Sequence, residues 1–582
     1  MNQPLSQRKS THVAMTFVAL CLVAAIAPSP DGDGRLLDLV PSPPPALDRS
    51  VPVDLPSTRE AAPVVDLSAL GDAPSRSSTR GAADRSAALP SATSGTATAA
   101  GSANGEASDE ASPSSDRAAA ALTGTNATPT PDDLHGAAVA AAVADRRRLA
   151  EPIRALVQSL GPDPGWLHNP CVVDSTDGCV RRALDRFMER LAAVALRQAD
   201  APVRISQYGD SLVVGDQYTG ELRRLLQRQF GDGGHGFVYP GNPLRTFGYE
   251  DIRLGVTDGW RVRSIVRSDG SAGDLFGMGG VEFRVGDNAT FFVQGARSEP
   301  GMTLERIGLL YLADAAATGE VTLRVSVDGE TEDVALAAEG GDAVHWIELE
   351  PGPRRVFLTR FDGRLRYYGV LVERSGPGVV VDNVGQVSAR AQHLQKINAE
   401  QWARQLALRG TDLVAMFYGV NDTSTTAERF QPGEYAEMYA GVIDNATEAG
   451  GARDCLVMSV LTRGVRDGGR LRVAAATPLI REAQRQAAER AGCAFFDTYA
   501  MAGGERSVEA WTRARPSLLG ADLAHPTPAG YRELARVVHA SLMHELLRWL
   551  ERPEDEIARG VAARAARAGD GADAGARAGG DP

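Results

Sequence analysis

The sequence predicts an α/β protein built on a parallel, doubly wound five-stranded sheet, with an all-β sandwich inserted into it and a structureless arm at each end. Three observations predict this. Strand-like apolar runs alternate with helix-period segments on both sides of residues 245–375, and inside 245–375 helical periodicity gives way to short β-like segments. No Phe, Trp or Tyr occurs between Phe17 and Trp166 or after Trp549. Stretches without aromatic side chains and with few apolar periodicities bury too little surface to offset the entropy of ordering, so the folded part of the 582 residues is placed at about 150–552.

At the N-terminus, Arg8 and Lys9 precede an apolar run from Val13 to Ala27, the layout of a secretory signal. The run is shorter than the roughly 20 residues of a membrane span. Residues 1–28 therefore read as a signal peptide or, because Pro28 directly after Ala27 hinders cleavage, as a signal anchor. Residues 29–149 are rich in Pro, Ala and Ser and read as a disordered linker. The short cluster Arg146, Arg147 and Arg148 reads as a solvated helix face. Residues 553–582 carry Ala, Arg, Gly and Asp without sustained periodicity and read as a disordered tail.

The first half of the α/β fold, 150–244, holds a strand at Val203 to Tyr208, followed by Tyr218, Leu222, Leu225, Leu226 and Phe230 at helical spacing. Its second half, 376–552, resumes with a strand at Gly378 to Val384, a helix from Ile397 to Leu408 and a strand from Asp412 to Tyr418. Tyr435, Met438, Tyr439, Val442 and Ile443 mark the next helix. Strands Cys455 to Val460 and Cys493 to Thr498 flank a helix near Leu479 to Ala491, and a last helix runs from Pro528 to Leu550. Five strands alternating with helices imply a parallel sheet covered on both faces. Between the halves, Val281 to Val285, Thr290 to Val293, Val321 to Val327, Trp346 to Leu349 and Arg355 to Leu358 alternate with turn residues, which implies an antiparallel sandwich.

A net charge of −13 supplies no phosphate-neutralising field and argues against a nucleic-acid partner. Of five cysteines, loss of Cys21 with a signal leaves four, an even number that suits an oxidising compartment. Three pairings are possible. Cys171 with Cys179 would close a short loop and Cys455 with Cys493 would link neighbouring strand starts, while four unpaired buried thiols are the alternative. No CxxC, HExxH or clustered acidic loop is present, so neither a metal nor a cofactor is expected.

The strand at Val203 to Tyr208 ends in Gly209, Asp210, Ser211 and Leu212, which places a serine at the carboxyl end of a sheet strand. A serine hydroxyl is a poor nucleophile without a base. Of nine histidines, only His525 stands in an Asp522-Leu523-Ala524-His525-Pro526 run that combines a carboxylate three residues earlier with a place just before the last helix. That spacing lets Asp522 orient the imidazole while His525 takes the proton of Ser211. An oxyanion needs donors, each worth about 2.7–4 kcal/mol where measured. Asn421, after the strand ending at Tyr418, and the backbone of Gly385, after the strand ending at Val384, are the candidates. Gly231, Gly233 and Gly236 satisfy GxGxxG literally but follow a helix, so they read as a turn shaping the cleft wall, with His235 an exposed loop residue. His168, His345, His393, His539 and His544 read as surface or packing residues.

In that order, Gly209-Asp210-Ser211, Gly385, Asn421 and Asp522-x-x-His525 resemble the blocks of the SGNH (GDSL-type) hydrolases. The resemblance implies a three-layer αβα, flavodoxin-like fold, a Ser211, Asp522 and His525 triad, and an oxyanion hole formed by the Ser211 amide, Gly385 and Asn421. The glycine-rich stretch from Phe230 to Phe237 and the β-rich insert before Gly385 are similar to bacterial cell-wall (peptidoglycan) O-acetylesterases, which carry a carbohydrate-binding-like module there. The chain departs from them at Leu212, where many members have histidine. The function expected is an exported serine esterase of the periplasm or cell envelope. It would remove O-acetyl or other short acyl groups from peptidoglycan or another acylated polysaccharide, with a membrane anchor if the signal is retained. A polysaccharide O-acetyltransferase using the same triad and a tethered, non-catalytic carbohydrate-binding protein are the alternatives.

Overall fold

The computed structural model describes residues 131–578, apart from 241–248, 250, 258, 268–274, 286–288, 297–300, 314–320, 337–339, 360–364 and 448–453. The signal segment and most of the linker thus lie outside the described residues. Among those described, no helix is long and apolar enough to cross a membrane.

Five strands rich in apolar residues, β1 (Val203–Gly209), β2 (Val379–Gly385), β3 (Leu413–Phe417), β4 (Asp454–Met458) and β5 (Ala494–Phe496), are buried almost throughout. Burial on both faces is what a parallel sheet covered by helices requires. They pair in parallel in the order β2-β1-β3-β4-β5. A short strand, Leu167–His168, adds antiparallel to β5 and was not expected from the sequence. Helices Asp185–Ala195, Gln217–Phe230 and Pro528–Leu550 pack together on one side, and Ala399–Arg409, Pro432–Thr447 and Thr477–Arg490 on the other. This is the doubly wound fold the alternation predicted. Two helix ends are capped: Thr527 accepts the Gly530 amide at the start of Pro528–Leu550, and Gly410 closes Ala399–Arg409 in a left-handed conformation.

Between β1 and β2, two antiparallel sheets form the inserted sandwich. One orders Gly341–Gly352, Leu304–Ala313, Arg366–Glu373, Val281–Val285 and Trp260–Ser264; the other orders Glu330–Leu336, Val321–Val327, Arg355–Thr359, Thr290–Gly295 and Ile252–Val256. A buried ionic network ties the strand Arg366–Glu373 to the parallel sheet. Glu373 accepts from Arg204 at 2.9 Å and from Arg409, which also donates to Asp382 at 2.8 and 3.0 Å. Burial raises the Glu373 pKa, but the two guanidiniums outweigh it and hold the carboxyl down to about 2.

Several expectations need correction. The boundary at 245 falls too late, because Gly236–Val238 already pairs with Arg366–Glu373 in the sandwich. Gly231 to Gly236 is a packed crossing, not a cleft wall: a Cβ on Gly234 would lie 2.5 Å from the Glu373 Cα, and one on Gly233 2.9 Å from the Val379 carbonyl. The linker does not extend to 149, since Pro131–Leu160 is helical and buries Leu149, Ile153 and Leu156. Arg146 is no solvated face residue; its guanidinium lies 3.6 Å over the Trp549 ring and donates to the Trp549 carbonyl. The tail is also ordered as a helix, Glu554–Ala578, whose Ile557 and Val561, one turn apart, are buried. Arg552 pairs with Asp185 at 2.6 Å and Arg564 with Glu189 at 3.2 Å. Each end lacks an aromatic core of its own, but the two helices supply apolar surface to one another.

Cys171 is bonded to Cys179, and Cys455 to Cys493, the second bridge joining the start of β4 to the residue before β5.

Candidate active site

Gly209 ends β1 directly opposite Gly385, which ends β2. The chain then turns into a four-residue helix, Ser211–Val214, that folds back over both strand ends. A Cβ on Gly209 would lie 2.2 Å from Val213 Cγ2, and one on Gly385 2.7 Å from the Val214 amide. Side chains at either position would push the nucleophile turn off the sheet. Asp210 caps the turn, its Oδ1 accepting the Leu212 amide at 3.0 Å. Ser211 stands at the first helical position, half-buried.

The loop ahead of the last helix brings the base. Ser211 Oγ lies 2.7 Å from His525 Nε2, and His525 Nδ1 lies 2.6 Å from Asp522 Oδ2. Asp522 Oδ1 also accepts the amides of Ala524 and His525, both at 3.1 Å. Partial burial pulls the Asp522 carboxyl upward, but the hydrogen bonds from the His525 ring and the two amides outweigh it and hold the group below its ordinary pKa. The tight turn forces Leu523 to a φ of 58°, rare for a branched side chain.

Asn421 follows β3 at the same sheet edge. Its Nδ2 donates to the Ala389 carbonyl at 2.9 Å and contacts Asp210 Oδ2 at 3.4 Å. Asp210 is completely buried, and this burial, with Asp422 nearby, pushes its pKa up to about 7 against the pull of the Leu212 amide. The Gly385 expectation fails on geometry, because its amide donates to Asn383 Oδ1 at 3.1 Å and is not free. Three residues on, Ser388 is exposed and holds a φ of 61°, and its amide has no hydrogen-bond partner among the described residues. Sequence reasoning missed Ser388, since no side-chain type announces a left-handed serine.

His235 is buried, not exposed, with Nδ1 2.6 Å from Asp251 Oδ1 and its ring edge-on to Tyr249. Asp216, His235 and Asp251 have the donor spacing of a metal site, all within 4.8 Å. However, Arg223 donates to both carboxylates at 3.0–3.2 Å, which neutralises the charge that would hold a cation. These residues are better described as a buried ion-pair cluster behind the nucleophile turn. A cavity of about 550 Å³ lies beside this cluster on the sandwich, lined among others by Tyr249, Arg253, Phe292 and Arg355. The triad itself is open, the His525 side chain being 41% exposed.

A serine, histidine and carboxylate hydrogen-bonded in series at the carboxyl edge of a flavodoxin-like sheet form the arrangement of a serine-hydrolase triad, as the SGNH (GDSL-type) resemblance implied. The pattern of the GDSL-like Lipase/Acylhydrolase family matches residues 351–533, which include Asn421, Asp522 and His525 but begin after Ser211. The chain resembles in fold a peptidoglycan O-acetylesterase, at 22% identity and a TM-score of 0.53, over 66% of this chain and 99% of the other. A salicylyl-acyltransferase from a tetracycline biosynthetic pathway (14% identity, 50% and 93% covered, TM-score 0.24) and a family two carbohydrate esterase from Cellvibrio japonicus (9%, 52% and 100%, 0.21) are far more distant in shape. No curated protein matches the sequence.

Proposed function

We propose that the protein is an exported serine esterase that removes acetyl or similar short acyl groups from a cell-envelope or extracellular polysaccharide. The observation that carries this reading is the continuous Ser211, His525 and Asp522 hydrogen-bond chain, at 2.7 and 2.6 Å. Ser211 Oγ attacks the acyl carbonyl as His525 Nε2 takes its proton, and Asp522 stabilises the imidazolium. The oxyanion formed is met by the Ser211 amide and by Asn421 Nδ2, whose long contact to Asp210 leaves one hydrogen able to turn toward it. On the third side the Ser388 amide replaces that of Gly385. Collapse leaves an acyl-serine, with the sugar oxygen taking the proton from His525. Water, deprotonated by His525, then attacks the acyl-serine, releasing the carboxylic acid and restoring Ser211.

Export is supported by the Val13–Ala27 run after Arg8 and Lys9 and by two disulfides, which persist in oxidising compartments. The polysaccharide substrate is supported by the fold likeness to a peptidoglycan O-acetylesterase. Acetate release from O-acetylated peptidoglycan and from acetylated xylan, by the wild-type chain and by Ser211→Ala, tests the proposal. Release from at least one polymer, abolished in the variant, is the result expected; equal release by both proteins overturns it.

A further inference from the structure

Between β4 and helix Thr477–Arg490 the chain makes a two-stranded hairpin, Gly464–Asp467 with Arg470–Val473, that none of the catalytic steps uses. Gly468 and Gly469, at φ of 54° and 79°, form its two-residue turn. The hairpin leaves the sheet a few residues after β4, at the same carboxyl edge that presents Ser211 and Asn421. Its base is fastened to the triad loop. The Gly464 amide donates to the carbonyl of Leu523, the residue after Asp522, at 2.6 Å, and a Cβ on Gly464 would lie 2.7 Å from the Leu523 Cβ.

This arm is basic in a chain of net charge −13. Arg463, Arg466, Arg470 and Arg472 fall within ten residues that hold a single acid, Asp467, and Asp467 is paired with Arg472 at 3.1 Å. Arg463 is half-buried at the base, while Arg466 and Arg470 are exposed. None of these three side chains has an ion-pair or hydrogen-bond partner among the described residues. Elsewhere on the surface most arginines are paired, as Arg481 is with Asp497 and Arg513 with Glu509. Unpaired guanidiniums held beside a catalytic loop present forked donors suited to carboxylates.

We infer that the hairpin is a substrate arm, and that Arg463, Arg466 and Arg470 select glycans carrying carboxylates near the acylated hydroxyl. The inference rests on the esterase reading and names its substrate class: an acylated polyanionic glycan rather than a neutral one. A purely structural role, in which the arginines only keep an exposed two-stranded edge from pairing with other chains, would show no preference between neutral and acidic polymers.

Two measurements on the full chain test it. In the first, binding of the Ser211→Ala protein to polygalacturonate and to neutral glucomannan is compared with binding by the same protein carrying Arg463→Gln, Arg466→Gln and Arg470→Gln. The parent prefers polygalacturonate, the preference weakens with salt, and the triple change lowers affinity about tenfold, the combined loss of three modest, solvent-screened charge contacts. Lysine at the same three positions restores most of the binding. In the second, the triple glutamine change in the active chain raises KM for acetylated polygalacturonate about tenfold relative to KM for 4-nitrophenyl acetate. Equal binding of both polymers, or equal affinity with and without the three arginines, overturns the arm. Loss of 4-nitrophenyl acetate turnover in the wild-type chain would instead sink the esterase reading, and the binding arm of the test still decides the role of the hairpin.

Discussion

Ser211 and His525 are 314 residues apart in the chain and 2.7 Å apart at Oγ and Nε2. The whole sandwich lies between them, yet the parallel pairing of β1 with β2 and β3 returns the chain to the same edge. If this contact is the proton path, Ser211→Ala lowers kcat for acetyl ester hydrolysis by about 10⁴-fold or more, with the melting temperature almost unchanged. Steady-state kinetics beside a thermal melt checks both halves; comparable turnover refutes the role.

Asp210 carries a second prediction. Folding raises its pKa from an ordinary carboxylate value to about 7, so the folded state favours the protonated acid. The stability this contributes is fully present below about pH 4 and is lost as pH rises through 7. Asp210→Asn removes the titration and is expected to be more stable than wild type at pH 8 by on the order of 1–3 kcal/mol. It also replaces an acceptor beside Asn421 Nδ2 by a donor or a turned amide, so kcat falls while KM changes little. Urea unfolding at pH 5 and pH 8 gives the first result; a stability gap independent of pH would contradict it.

The left-handed backbone at Ser388 yields a third. Glycine adopts φ of 61° without strain, so Ser388→Gly should stabilise by about 0.5–1 kcal/mol and retain kcat, because the amide is unchanged. Gly385→Ala, by contrast, forces a Cβ to 2.7 Å from the Val214 amide and should destabilise the nucleophile turn. Denaturation midpoints and kcat for both variants separate the loop donor from the packing glycine.

Arg223 is fully buried between Asp216 and Asp251. Burial lifts the Asp251 carboxyl, but Arg223 and His235 overcome this and keep it far below the ordinary range. Arg223→Met leaves two carboxylates without their cation and is expected to cost about 3–5 kcal/mol. Calorimetry reads the loss; a variant as stable as wild type would mean that the cluster is held by something other than its charge.

The bridge from Cys455 to Cys493 spans 38 residues and that from Cys171 to Cys179 only 8. Loop-closure entropy makes removal of the longer one costlier, about 4 against about 2.5 kcal/mol. Paired Cys→Ala variants in chemical denaturation test the ranking.

What was legible in the sequence was whatever depends on near neighbours. Alternation of apolar runs named the parallel strands and their helices, the last helix from Pro528 to Leu550 among them, and Asp522 and His525 sit one turn apart, so their contact is nearly local. The hairpin at Gly464–Asp467 and Arg470–Val473 was not read from the sequence. Tertiary structure alone decided the rest. Whether the Gly385 amide is free depends on where the Asn383 side chain turns, and whether His235 is buried depends on Tyr249 and Asp251 closing over it. The part of Pro131–Leu160 before residue 150, and Glu554–Ala578, read as disordered for want of aromatic residues because each stretch was judged by its own composition. Burial is a property of two surfaces meeting, and a single strand of sequence shows only one of them.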